Sequence, residues 1–258
     1  MSVMDRAETD KPDMSAASAQ GAYSAKQDRL KARVLEEALE IVPFEGWTSK
    51  MMAQAAKAAE IPASQIHHLF PKGALGLISY WSARMDRKSA QQLTELDMTD
   101  MRIRDKITQA VLIRLAQMDG HELAMKRALS RLALPDAHIG PAGGIGLRPL
   151  WDSADMIWRA IGDKSTDSNY YSKRTVLSAV LSSTTLAWIS DDSADKASAR
   201  DFLDARIENV MTFEKTKWTV KSRLKNAPNP AEILGRLRYG KGFKRRRRSR
   251  VPVSRYKS

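Results

Sequence analysis

The residues best suited to chemistry in this chain are its four histidines and a glycine-rich stretch over 140–146. His67 and His68 are adjacent, so on a helix their side chains point about 100° apart and cannot hold one metal together. His121-Glu122 does not belong to a metalloprotease-like spacing, and no Glu-x-x-His pair is present. The sequence has no cysteine, which excludes thiolate chemistry. We therefore expect no metal site and no catalysis by this chain alone.

The other motifs that suggest a ligand are weaker. The glycines follow no predicted strand and lead to no Gly-Lys-Ser/Thr, so they are interpreted as a connector rather than a phosphate cradle. Twelve methionines supply deformable side chains and permit a tunnel for a long apolar ligand. The large side chains at helical positions are more often simply core: Trp81, Met85, Met118, Met125, Met156 and Trp188.

Positive charge is concentrated at the C-terminal end. The chain has 258 residues and a net charge of +13, and from residue 215 onward there are 16 Lys and Arg against one acid. The composition, 43% hydrophobic and 28% charged, is that of a globular protein. The first residues are acidic, unlike a presequence, and no apolar run approaches the roughly 20 residues of a membrane span. We expect a cytoplasmic protein whose basic tail binds an anionic surface.

Hydrophobic spacing predicts an all-α protein, because helical periodicity recurs from Asp28 onward and no stretch alternates every two residues. Pro43 is predicted to end the first helix, and Thr48 to cap a short helix over 49–59. A second short helix is predicted over 63–70, after a turn at 60–62. Later helices are predicted over 74–96, 103–115, 123–134, 177–189 and 197–224, with 177–189 at the centre of a bundle.

The two short helices form a helix-turn-helix arrangement, which has two interpretations. Reading DNA would require basic side chains on the second helix, yet residues 62–70 contain no Lys or Arg. Residues 26–90 carry ten bases against seven acids, too little excess charge for strong phosphate binding. The favoured interpretation is a helical scaffold, and DNA reading is the alternative.

Residues 151–174 combine two helical faces with a polar turn and two adjacent tyrosines. Apolar residues recur at helical spacing up to Ile161, Gly162 can end that helix, and 163–167 offers capping oxygens. A second helix begins at Tyr170. The pattern predicts a recognition surface rather than a reaction centre.

The same stretch resembles the core of the ubiquinone (coenzyme Q) biosynthesis accessory protein family. The similar residues are Asp155-Met-Ile-Trp158 and then Gly162-Asp-x-Ser-Thr-Asp-x-Asn-x-Tyr-x-x-Arg174. Other similar segments lie at 42–47, 69–72, 132–135, 191–193 and 202–215, so the resemblance runs from about Gln27 to Lys217. It implies a non-enzymatic, homodimeric lipid-binding protein with a TetR-regulator-like fold.

The resemblance further implies a carrier that takes a prenylated quinone or precursor from the membrane and presents it to a di-iron demethoxyubiquinone hydroxylase. The implied partner-binding residues are Asp155, Ile157, Asp167, Tyr170 and Tyr171. Tyr170 stands where a tryptophan is usual and Ile157 where a methionine is familiar. Tyrosine suits an interface anchor because it buries a wide ring at low entropy cost. Packing of Tyr171 between helices is the alternative.

The family also uses an amphipathic last helix on the membrane. After the break at Pro228-Asn-Pro230, apolar and basic residues interleave, and each Lys or Arg near an anionic leaflet contributes about 1 kcal/mol before screening. Nonspecific nucleic-acid contact and a nuclear-localisation-like run are the alternatives. The predicted membrane-binding residues are Ile233, Leu234, Arg236, Leu237, Arg238, Lys244, Arg245, Arg246, Arg247 and Arg248.

Four parts follow from these patterns: a disordered leader over 1–26, a helix-turn-helix-like subdomain over 27–96, a lipid-binding and partner-binding body over 97–225, and a membrane-binding tail over 226–258. The expected location is the cytoplasmic side of a bacterial inner membrane, or the matrix face of the mitochondrial inner membrane in a eukaryote. The alternative function is a TetR-type repressor sensing an apolar ligand. An enzyme acting on isoprenoids is a third interpretation, for which the sequence lacks any acid, base or metal constellation.

Overall fold

The computed structural model describes residues 14–138, 146–166 and 168–225, and all long regular elements within them are helices. This confirms the predicted all-α, TetR-like class. The helices are α1 Met14–Glu45, α2 Ser49–Ala58, α3 Ala63–Leu69, α4 Gly73–Glu95, α5 Ile103–Ala116, α6 Glu122–Leu132, α7 Arg148–Ala160, α8 Ser168–Ile189 and α9 Ala197–Lys225. Short 3₁₀ turns lie at Pro135–His138 and Ala194–Lys196.

The chain divides into two compact units, residues 1–210 and residues 211–258. The helix packing and the sites described here lie within the first unit. In the second unit, residues 211–225 are helical. None of the described helices combines the length and the apolar character needed to cross a bilayer.

The first helix differs from the prediction at both ends. It begins at Met14, so residues 14–26 are helical rather than part of the expected leader. Five of these thirteen residues are alanine, the strongest helix former, and none is proline, so they continue the helix before the buried stripe of Val34, Leu35 and Ala38 begins. Pro43 lies inside the helix. The fixed φ of proline is compatible with a helical backbone, but proline has no N–H, so one helical hydrogen bond is lost. The helix ends instead before Gly46, which has φ +69°.

The short pair α2 and α3 forms as predicted. The Thr48 hydroxyl accepts a hydrogen bond from the Met51 amide at 3.1 Å, which caps α2. Glu60 adopts φ +56° in the turn, and the amide of Ile61 donates to the Ala56 carbonyl at 2.8 Å. Both helices pack against α1, which supplies much of the hydrophobic core at this end of the first unit.

Helices α4, α5, α7 and α8 pack against one another. Helix α7 packs along both α4 and α8, and α4 also contacts α5. The prediction that 177–189 lies at the centre of the bundle holds for one face of α8, where Leu177, Leu181 and Trp188 are buried. It is wrong for the opposite face, because Leu186 is 53% exposed. The apolar character of this stretch therefore exceeds what core packing uses.

Candidate functional site

The turn between α7 and α8 brings residues of both helices into one cluster. Helix α7 ends at Ala160, and Gly162 follows with φ +87°, a conformation that costs glycine little. The amide of Asp163 donates back to the carbonyl of Trp158 at 2.9 Å, which closes the helix end. The chain then reverses, so the start of α8 lies beside the second half of α7.

Arg174 is the centre of this cluster and is 1% exposed. Its Nε donates to Oδ1 of Asp155 at 2.5 Å, and its Nη1 lies 3.4 Å from Oδ2 of Asp163. The Tyr170 hydroxyl donates to the same Asp155 oxygen at 3.1 Å, while Arg159 pairs with the other oxygen at 2.8 Å. Burial opposes the charged form of Asp155, but hydrogen bonds from Arg174 and Tyr170 outweigh it and hold its pKa below the ordinary value.

Asp163 is the second anion of the cluster. Its Oδ1 accepts from Lys173 Nζ at 2.6 Å and from the Ser165 hydroxyl at 2.8 Å. Burial raises the pKa of Asp163, but these two hydrogen bonds lower it further, so the net shift is downward. The Trp158 indole donates to the Lys173 carbonyl at 3.2 Å. The turn is thus fixed by charge-assisted hydrogen bonds rather than by apolar packing alone.

Three aromatic rings lie outside this polar cluster. Tyr170 and Tyr171 meet edge-to-face with centroids 5.1 Å apart, and Trp151 lies 6.5 Å and 6.1 Å from them. We call these three residues the aromatic surface. The guanidinium of Arg174 stacks 3.5 Å from the centroid of the Tyr170 ring, which fixes its orientation. Tyr171 is 64% exposed, so its ring does not pack between helices and is available to a partner.

The structure corrects one member of the predicted partner-binding set. Ile157 is 0% exposed and belongs to the core between α7 and α8, because it lies on the inner side of α7 with Ala154. It cannot contact a partner in this fold. Asp155 is close to the aromatic surface, but its carboxylate is engaged by arginines and Tyr170, so it positions the ring. Asp167 and the predicted membrane-binding residues from Ile233 to Arg248 lie outside the described residues.

A cavity of about 370 Å³ lies between α4, α5, α6, α7 and α8. We call it the inner cavity. Its volume is within the range of about 300–1,000 Å³ typical of small-molecule sites. Four of the predicted core residues, Trp81, Met85, Met118 and Met125, are buried and line it. Leu147 and Leu186, which are 61% and 53% exposed, mark where the lining reaches the surface.

One wall of the inner cavity is polar, which the hydrophobic spacing of the helices does not predict. Arg114 Nε donates to Asp86 Oδ1 at 2.5 Å, and its Nη2 donates to Ser82 at 3.0 Å. Ser153 of α7 donates to the same carboxylate at 2.8 Å. Burial raises the pKa of Asp86, and the Arg114 guanidinium opposes that rise. A signal for this pair is present in the sequence, because each of the two buried helix faces carries a charged residue. Asp86 follows Ser82 by four residues on α4, and Arg114 follows Ala110 by four residues on α5.

The remaining candidates for binding a metal or DNA are the histidines and the exposed face of α3. His67 and His68 are exposed on α3, and His121 lies edge-on to Trp81 at 6.4 Å. Across 14–138, 146–166 and 168–225, no three metal-ligating side chains come together. The exposed face of α3 presents Ala63, Ser64 and the two histidines, so it offers no Lys or Arg to a phosphate backbone.

The comparisons with known proteins agree with the resemblance. The COQ9 family model matches residues 144–214, which contain the α7–α8 turn. A rat protein named "Ubiquinone biosynthesis protein COQ9, mitochondrial" is 31% identical over 202 residues, 76% of this chain and 63% of its own length. The human protein of that name is 32% identical over 203 residues, covering 76% and 62%. A probable counterpart from Dictyostelium discoideum is 25% identical over 194 residues, covering 73% and 62%. The chain thus spans less than two thirds of the length of these relatives.

Proposed function

Because the chain belongs to the COQ9 family of ubiquinone biosynthesis proteins, we propose that it is a non-enzymatic accessory protein for this pathway. It binds an isoprenoid quinone intermediate and presents it to a di-iron demethoxyubiquinone hydroxylase. The bound lipid is a prenylated quinone or a precursor of one, and it is a cargo rather than a cofactor.

The inner cavity is the observation that carries this proposal. Its lining is mostly Leu, Met, Ile and Trp, and Arg114, which pairs with Asp86 behind it, is the one charged residue among the described lining residues. An aromatic head with a polyprenyl tail matches such a site, because the tail gains from leaving water along an apolar wall. At about 370 Å³ the cavity holds the head and the first part of a tail, and Leu147 and Leu186 lie where the rest would leave.

The aromatic surface supports the second half of the proposal. Exposed aromatic rings near a fixed polar rim are typical of interface centres. Tyr171 is the anchor, and Tyr170 is held in place by Arg174 and Asp155. The charged residues of the turn, which we call the ionic cluster, keep the turn in one conformation: Asp155, Asp163, Lys173 and Arg174. A partner would therefore bind with little ordering cost.

The protein would work at a membrane surface as a homodimer. Relatives are named mitochondrial, and the basic tail after residue 225 would attach the protein peripherally to anionic lipid. We therefore expect it at the inner membrane, on the cytoplasmic side in a bacterium or on the matrix side in a mitochondrion.

Native mass spectrometry with lipid extraction tests the proposal. The full chain is purified gently from its own host, and we expect a prenylated quinone or a precursor to co-purify. Addition of that lipid should quench tryptophan fluorescence, since Trp81 lines the inner cavity. A lipid-free protein that retains a defined DNA fragment would instead favour the TetR-type repressor.

A further inference from the structure

The positions of the charged side chains in the polar wall of the inner cavity affect which head group the cavity accepts. Among the lining residues that the structure describes, Arg114 is the one ionisable side chain. Asp86 does not line the cavity; it lies behind Arg114 and contacts its Nε at 2.5 Å. A ligand would therefore meet a guanidinium whose charge is already compensated from the other side.

The hydrogen-bonding groups of Arg114 are used unequally. Nε is taken by Asp86, and Nη2 donates to Ser82 at 3.0 Å and more weakly to Ser153 at 3.4 Å. Nη1 contacts the thioether sulfur of Met85 at 3.4 Å. A thioether is a weak acceptor, so an oxygen acceptor on a ligand would be a better partner for Nη1. Met85 is unbranched and also lines the cavity, so it can shift to admit such an oxygen.

Charge balance then decides between two kinds of head group. A lone arginine in an apolar cavity would attract a carboxylate, whereas the Asp86–Arg114 pair has no net charge. A carboxylate entering this site would place a second anion near Asp86 and be buried without its own counter-ion, which is costly. A neutral carbonyl or phenol accepts the hydrogen bond without that cost.

We propose that the Asp86–Arg114 pair is a charge filter that selects neutral, oxygen-bearing head groups, such as a quinone or phenol, over carboxylate-bearing ones. This inference rests on the proposed function, namely that the inner cavity binds a prenylated ring. It adds a specificity-determining pair, with Arg114 as the donor to the head group and Asp86 as the positioning and neutralising residue.

The test compares two probes with the same tail on the delipidated full chain at neutral pH: farnesyl benzoquinone, and ring-farnesylated benzoic acid, which is ionised to its benzoate carboxylate at that pH. Dissociation constants come from quenching of tryptophan fluorescence. We expect the wild-type protein to bind the quinone more tightly than the benzoate. In Asp86→Asn the uncompensated Arg114 should shift the ratio of the two constants toward the benzoate by about tenfold or more, as for a hydrogen bond to a charged group. Asp152→Asn is the matched control, since that aspartate pairs with Arg148 on the exposed side of α7.

The outcomes separate the two proposals. If both probes bind and Asp86→Asn leaves their ratio unchanged, the filter is wrong and the lipid-binding function stands. If neither probe binds, the proposed function fails and the filter fails with it. Should Asp86→Asn not fold, the paired change Asp86→Leu with Arg114→Met replaces the ion pair by apolar side chains, an exchange that proteins often tolerate. This double variant should lose the preference for farnesyl benzoquinone over farnesyl benzene, and an unchanged preference would overturn the filter.

Discussion

Truncation of Tyr171 is the sharpest test of the aromatic surface, because the same residue has a small role in folding and a large predicted role in binding. A tyrosine buries roughly 200 Å² when fully covered. Since Tyr171 is 64% exposed, roughly 120 Å² remains for a partner and about 70 Å² is already packed against Trp151 and Tyr170.

These areas set the expected magnitudes. At about 25 cal/mol per Å², the exposed part corresponds to about 3 kcal/mol of binding and the packed part to less than about 2 kcal/mol of stability, both as upper values. A hot-spot loss of about 2 kcal/mol weakens the dissociation constant about 30-fold. We therefore expect Tyr171→Ala to bind the hydroxylase about 30-fold more weakly and to remain folded.

The assay is calorimetric titration of the purified hydroxylase into the full chain, with thermal unfolding measured on the same samples. Tyr23→Ala is the matched control, because Tyr23 is a similarly exposed tyrosine, 59%, on α1. It should leave affinity unchanged. Wild-type affinity in Tyr171→Ala, with a normal fold, would remove the aromatic surface from the proposed function.

Three further predictions concern the ionic cluster, a tyrosine and the tail. Arg174→Met should lower the free energy of unfolding in urea by about 3 kcal/mol, since it removes a buried guanidinium and leaves the half-buried Asp155 and Asp163 without their shared cation. Arg148→Met, on an exposed pair, should cost less than about 0.5 kcal/mol. Burial, followed by the Asp28 carboxylate, raises the pKa of Tyr80 from 10.0 to about 12, so its contribution to stability is complete below pH 10 and lost as pH rises toward 12. In Tyr80→Phe the melting temperature should fall less between pH 10 and pH 12 than in the wild-type protein. The same fall in both proteins would contradict the raised pKa of Tyr80. Truncation after Lys225 should abolish binding to anionic vesicles, which in the full chain should weaken with salt; equal flotation of both forms would refute a membrane role for the tail.

Local signals in the sequence were sufficient to predict most helices and the α7–α8 turn. Thr48 and Gly162 act on their immediate neighbours, so a cap and a helix end can be predicted from a few residues. The extension of α1 to Met14 and past Pro43 was missed, because propensity and one tolerated proline outweighed the breaker signal. Helical periodicity also predicted core residues correctly, and Trp81 and Met125 are examples.

The contacts that define both sites join residues far apart in sequence. Arg174 meets Asp155 across 19 residues and Arg114 meets Asp86 across 28. Helical spacing indicates which face of each helix is apolar, but the partner of a buried charge depends on how two helices pack. Ile157 illustrates the same limit, because its resemblance to a partner-binding position could not reveal that this face of α7 is buried against α8.

Helix α7 contributes to the two sites from opposite sides. Pro149 and Ser153, four residues apart, line the inner cavity, whereas Trp151 and Asp155 belong to the aromatic surface and its ionic support. An offset of two residues turns a helix by about 200°, so the thickness of one helix separates the inner cavity from the aromatic surface. Tyr171 lines no part of the cavity, so its truncation should weaken hydroxylase binding while lipid affinity stays at the wild-type value. Loss of both together would mean that the two faces of α7 are not independent.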